Sequence, residues 1–150
     1  MTVDFSFARS PGFKVASLEW KGPWNEKKIR AQFERVERWI KDAGARPGRY
    51  VFRECGERRW EAAIEVKGTV RGSKGIRLKT LRPTSVARVV FDPEEISPRV
   101  IYHGLSDWLR WRRREKEIRS VGGSREIYPA NPWRDPRAWA RTEVQFVVRR

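Results

Sequence analysis

Hydrophobic and polar positions fall into two runs that follow the same order. "GFKVASLEW", Gly12 to Trp20, is rich in β-branched and aromatic residues with partial alternation, which predicts a strand. "KGPW" ends it, because Pro23 cannot extend a central strand and Gly22 permits a turn. Asn25 suits a helix N-cap, and Ile29, Phe33, Val36, Trp39 and Ile40 then recur at helical spacing up to a stop at Gly44. "RYVFREC" and "WEAAIEVKG" predict two further strands joined through "GERR". "TVRGSKG", Thr69 to Gly75, reads as a polar linker.

Beyond the linker the order resumes. "IRLKTLRPTSVARVVF" is strand-like, with Pro83 at a break or an edge, and "DPEEISPRV" is a break that starts a helix. "IYHGLSDWLRWRRREKEIRS" predicts that helix, with Glu115 and Arg119 at the i, i+4 spacing of an ion pair. "VGG" reads as its stop, "REIYPANP" as a short strand and "RTEVQFVVRR" as the last strand. "KVASLEW" aligns with "SVARVVF", "RVERWIK" with "GLSDWLR", Tyr50 with Tyr128, and "WEAAIEV" with "TEVQFVV", which sets Glu61 opposite Glu143. Four matches in one order predict an internal duplication. Repeat one spans about residues 12–68, the linker about 69–75 and repeat two about 76–150 of a single domain.

Alternation assigns faces. Val144, Phe146 and Val148 form one side of the last strand, and Glu143 and Gln145 the other; Ala62, Ile64 and Val66 are set against Glu61, Ala63 and Glu65 in the same way. Two fused βαββ units sharing one sheet predict an α+β fold: a curved antiparallel sheet with two helices on one face. The other face would hold a shallow cleft with a carboxylate from each half, an environment suited to organic cations.

Composition narrows the function. The 150 residues carry 34 Lys and Arg against 19 Asp and Glu, a net charge of +15 that favours polyanions at low salt. An Arg-rich, ion-paired surface of the thermophile kind accounts for the same charge equally well. One cysteine, Cys55, excludes an intrachain disulfide, and the single His103 argues against a metal site, so no cofactor or metal is expected. No run is long and apolar enough for a membrane span, and "MTVDFSFARS" lacks a signal peptide's core, so a cytoplasmic protein without a membrane partner is expected.

Gly22-Pro23-Trp24 after the first strand, "EIYP" and the closing "TEVQFVV" resemble the GyrI-like small-molecule-binding domain, over about Phe13 to Val148. Members of that family stand alone or serve as effector-binding domains of AraC- and MerR-type regulators. The resemblance implies a duplicated βαββ fold with a cleft along its pseudo-twofold axis. It also implies a cationic or aromatic organic ligand and a final-strand glutamate that contacts it, a role that falls to Glu143. Tyr50, Tyr128 and Trp24 are the candidate walls, and Glu61 is a weaker candidate carried by the repeat alone. Some members resemble hydrolases of cyclopropane-containing toxins, which implies Glu143 with Tyr128 or Tyr50 as catalytic groups and leaves open whether the chain is an enzyme. A third reading is a basic module that contacts nucleic acid nonspecifically. Against it, no RNA- or DNA-binding signature is present, and Glu115 and Glu117 interrupt the arginines of "WLRWRRREKEIR".

Overall fold

The computed structural model describes residues 3–72 and 75–150. The chain runs β1 (Ser6–Ser10), β2 (Phe13–Lys21), α1 (Glu26–Asp42), β3 (Arg46–Gly56), β4 (Arg59–Lys67), β5 (Arg77–Leu81) and β6 (Thr84–Phe91). It continues with α2 (Pro98–Arg114), β7 (Ser120–Tyr128), α3 (Pro136–Trp139) and β8 (Thr142–Arg149). All eight strands form one antiparallel, curled sheet in the order β1-β6-β8-β7-β3-β4-β2-β5. Repeat one is β2-α1-β3-β4 and repeat two is β6-α2-β7-β8, with β3 and β7 meeting at the centre.

Strand register verifies most of the internal alignment. Glu19 lies opposite Glu61 as Val90 lies opposite Glu143, so Val15, Ala16 and Trp20 correspond to Val86, Ala87 and Phe91. Val36 and Ile40 of α1 and Leu105 and Leu109 of α2 are all buried, and Trp39 and Trp108 are both half-buried against their clusters. The match of Tyr50 with Tyr128 does not survive. Glu61 pairs with Arg53 and Glu143 with Ile127, so it is Phe52 and Glu126 that hold the same place. Tyr50 and Tyr128 instead face each other directly across the β3–β7 seam.

Local signals explain most boundaries. Asn25 caps α1 by accepting from the Lys28 N–H at 3.1 Å, and the chain leaves the helix through Gly44 at φ +83°. Pro83 separates β5 from β6, and a two-residue turn at Glu57-Arg58 joins β3 to β4. Two expectations need correction, and one strand was not expected at all. First, α2 ends at Arg114, so Glu115 and Arg119 do not share a helix; Arg112 bonds Glu117 at 2.9 Å instead. Second, Val121-Gly122-Gly123 is no stop but the irregular part of β7, where the register shifts between Val121 and Ser124. The unexpected strand is β1, which the N-terminal segment forms on the edge beside β6, with Phe5 and Phe7 packed on Trp108. Of the expected linker, Ser73 and Lys74 lie outside the described residues.

Both long helices cover the same face. Against α1 pack Ala16, Leu18, Phe52, Ala62 and Ile64; against α2 pack Ala87, Val89, Phe91, Val144 and Val148. On the opposite face a small apolar patch of Phe13, Val15, Val51, Ala63 and Ile127 is bordered by charged residues. No helix of the described residues is long and apolar enough to cross a membrane.

Candidate functional site

The sheet's two faces hold their carboxylates differently. On the face away from the helices, Glu61 is 1% exposed. It accepts from Arg53 Nε at 2.7 Å and from Lys79 Nζ. Burial alone would raise its carboxyl, but the Arg53 and Lys79 bonds more than offset that and hold it below the ordinary value. Glu143 lies on the same face in a two-point contact with Arg88, at 2.9 and 3.1 Å, and accepts from Gln145 Nε2 at 2.5 Å. Its carboxyl is lowered in the same way, burial opposing and Arg88 prevailing. Both expected cleft acids are therefore already matched by cations.

Neither tyrosine joins them. β3 and β7 carry Tyr50 and Tyr128 on the helix side, because strand alternation sets them with Phe52 and Glu126 and not with Arg53 and Ile127. Tyr50 is buried beneath Phe33 of α1, with ring centroids 5.4 Å apart, and its hydroxyl makes no hydrogen bond. Burial, and then the Glu37 carboxylate, push that hydroxyl far above its ordinary value.

The largest apolar cavity also lies on the helix side, over the seam between the repeats, with a volume of about 280 Å³. α1 supplies Ile29, Phe33 and Glu26, and the start of α2 supplies Pro98. The floor is Phe52, Glu126 and Tyr128. The connection between β7 and β8 closes the third side with Trp133 and Trp139. Trp139 stacks on Tyr128 at 6.2 Å and 7° between planes, and Trp133 meets Phe33 at 5.5 Å. Trp24, 61% exposed, stands at the mouth edge-on to Phe52 and Trp60. Gly22 at φ +146° turns the chain into this position, and its carbonyl accepts from Trp60 Nε1 at 3.0 Å.

The long connection is built to hold its tryptophans. Asn131 accepts from the Trp133 N–H at 2.9 Å, Asp135 caps α3 through the Arg137 N–H at 3.0 Å, and Thr142 Oγ1 donates to the Trp139 carbonyl at 2.6 Å. Arg134 reaches back to buried Glu37 of α1 at 2.9 and 3.0 Å. Repeat one has only the Glu57-Arg58 turn at the corresponding place.

Glu126 is the carboxylate of this cavity that pattern reasoning did not single out. Tyr102 Oη donates to its Oε1 at 2.8 Å and Tyr128 Oη to its Oε2 at 2.6 Å. Both hydroxyls are pushed up by burial first and by the Glu126 charge second. No Lys or Arg among the described residues forms an ion pair with Glu126. The usable signal was its two-residue spacing from Tyr128, which puts both on one face of a strand.

Other candidates carry less. His103 is exposed on α2, Cys55 is half-buried at the end of β3, and no cluster of metal-ligating side chains occurs among the described residues. Trp111, 60% exposed, stands on the outer face of α2 among its arginines. Arg112 there lies over the Trp108 ring at 4.9 Å.

No family profile matches the chain, nor does any curated protein sequence. Solved structures do share its fold. EcmrR in its complex with DNA superposes with a TM-score of 0.75 at 18% identity, over 99% of this chain and 58% of that one. The EcmrR C-terminal domain does so at 0.70 and 16% identity, covering 100% of this chain and 99% of that one. SAV2435 bound to tetraphenylphosphonium matches at 0.52 and 11% identity, over 97% of this chain and 94% of that one. This chain thus spans about the length of the EcmrR C-terminal domain and a little over half of the DNA-bound EcmrR chain. It has the fold of that domain and of SAV2435, the fold that its "EIYP" and "TEVQFVV" resemblance to GyrI-like domains implied.

Proposed function

We propose that this chain binds a lipophilic organic cation in the helix-side cavity, with Glu126 as the charge anchor and Tyr128, Trp24, Trp133 and Trp139 as walls. The observation that carries the reading is the unmatched carboxylate: Glu126 accepts from two tyrosine hydroxyls and from no cation among the described residues. Neutral donors orient its oxygens without cancelling the charge. A cation about 4 Å away, at an effective dielectric constant near 20, gains about 4 kcal/mol before its own desolvation is counted. Each aromatic face adds about 0.5 to 2 kcal/mol. Glu143 and Glu61, matched by Arg88, Arg53 and Lys79, have less to offer a cation, so the anchoring role expected of Glu143 passes to Glu126. The likeness to a structure bound to tetraphenylphosphonium is consistent with this ligand class.

Titration with tetraphenylphosphonium, followed by quenching of tryptophan fluorescence, tests the reading. Saturable quenching in the wild type, with affinity reduced about 10- to 100-fold in Glu126→Gln, is expected. Equal affinity in both would remove Glu126 from the anchoring role.

The same geometry supports a second reading, hydrolysis of a strained electrophile, since a carboxylate between two hydroxyl donors can serve as base or nucleophile. Turnover of a cyclopropane-containing electrophile by the wild type and none by Glu126→Gln would favour it; binding without turnover would remove it.

A further inference from the structure

The seam between the repeats is open along half its length. β3 and β7 pair only at Tyr50–Tyr128, Val51–Ile127 and Phe52–Glu126. Past that last pair both strands continue, Arg53 to Gly56 on one side and Ser120 to Arg125 on the other, each bonded only to its outer neighbour. The slot between them contains a cavity of about 180 Å³ bordered by Phe52, Tyr102 and Glu126 from the helix side and by Arg53 and Arg125. A second depression of about 200 Å³ on the opposite face shares Arg53, Ser124 and Arg125 with it. The aromatic cavity above Glu126 shares Phe52, Trp24 and Glu126 as walls with the slot cavity, and that slot cavity is lined by both Glu126 and Arg125.

Arg125 is the counterpart of Glu126 on the other side. It is 9% exposed, and its partners are neutral: Nε donates to Gln145 Oε1 at 2.8 Å and Nη2 to Ser10 Oγ at 3.2 Å. A guanidinium has five N–H donors, so three are left for another acceptor. Of the acids nearby, Glu61 is committed to Arg53 and Lys79, Glu65 to Arg49 and Glu143 to Arg88, while Glu54 borders the same slot and forms no ion pair with Arg125. A buried guanidinium whose hydrogen-bond partners are neutral costs stability, which an incoming anion would recover.

Resting on the proposed reading of the helix-side cavity and extending it, we infer that the ligand is amphoteric. Its lipophilic cationic part sits over Glu126, and an anionic group, a carboxylate or phosphate, passes through the β3–β7 slot to Arg125. Adjacent residues of one strand point to opposite faces, so one molecule threaded through the slot meets both unmatched charges. Guanidinium offers such an anion two parallel N–H bonds, which a water molecule cannot reciprocate.

The test uses an alkyltriphenylphosphonium and its ω-carboxylate analogue of equal chain length, titrated calorimetrically against the full chain. The carboxylate analogue is expected to bind the wild type about 10-fold tighter or better. Arg125→Met should erase that preference while leaving the affinity for the plain alkyl compound within about two-fold, which also reports that the variant is folded. Arg125→Lys should keep part of the preference. Arg110→Gln, which removes an exposed charge on α2, should keep all of it; a loss as large as in Arg125→Met would mean that the preference reflects net charge, and would overturn the inference. Equal binding of the two compounds by the wild type overturns the amphoteric ligand alone, whereas binding of neither removes the reading of the helix-side cavity with it.

Discussion

Repeat one and repeat two share two positions and treat them in opposite ways. At the outer position, Glu61 and Glu143 both remain acidic, and each is neutralised by arginine or lysine from other strands of the same sheet. At the central position the repeats diverge: Phe52 in one, Glu126 in the other, paired with each other across the seam. In the proposed reading the shared pair is scaffold and the diverged pair is the site. A duplicated unit placed about a pseudo-twofold axis gives its central residues two chances to differ within one cavity. Here one chance supplies an aromatic floor and the other an unmatched charge. The connections diverge in the same sense, two residues after β3 and a tryptophan-bearing segment with α3 after β7.

The sharpest way to break this comparison is at Glu61. Glu61→Ala leaves Arg53 and Lys79 without their buried partner and should cost about 3 kcal/mol of unfolding free energy in urea titration, with cation binding retained in the folded fraction. A loss of binding without a loss of stability would reverse the roles assigned to the two faces. Acid should act on the same scaffold. Glu61 and Glu143 are both held below the ordinary carboxylate value of 4.5, so their contribution is fully present above that value and disappears as pH falls beneath it. Stability should therefore drop below about pH 4.5, and Glu61→Gln should flatten the slope of that drop.

Smaller effects sharpen the other half. Trp139→Ala removes the ring stacked on Tyr128 and should weaken tetraphenylphosphonium binding about 5-fold, or about 1 kcal/mol, in fluorescence titration. Glu143→Gln should cost about 1 kcal/mol of stability, because Arg88 is partly exposed and solvent takes up much of the loss. It should leave cation affinity within about two-fold.

The duplication was legible because hydrophobic periodicity and strand lengths repeat, and ladder register now supports the β2/β6 and β4/β8 alignments residue by residue. Tyr50 and Tyr128 misled because their equivalence rested on a single letter, whereas strand register is set by pairing partners that one sequence does not display. β1 escaped because Phe5 and Phe7 alternate over only a few residues of a polar segment, and their reason for being a strand, Trp108, lies about a hundred residues away. Glu126 was overlooked although "EIYP" had been singled out, since the internal repeat drew the choice of acid toward the position that both halves share. What marks Glu126 as different is that it forms no ion pair among the described residues, and charge matching is a property of the folded sheet.

The central claim is that function follows the unmatched carboxylate and not the repeated one. Isothermal calorimetry with tetraphenylphosphonium on wild type, Glu126→Gln and Glu143→Gln, side by side, tests it most directly. The account predicts a loss of about 10- to 100-fold in affinity for Glu126→Gln and near-wild-type affinity for Glu143→Gln. Loss of binding in Glu143→Gln with Glu126→Gln unaffected would contradict it.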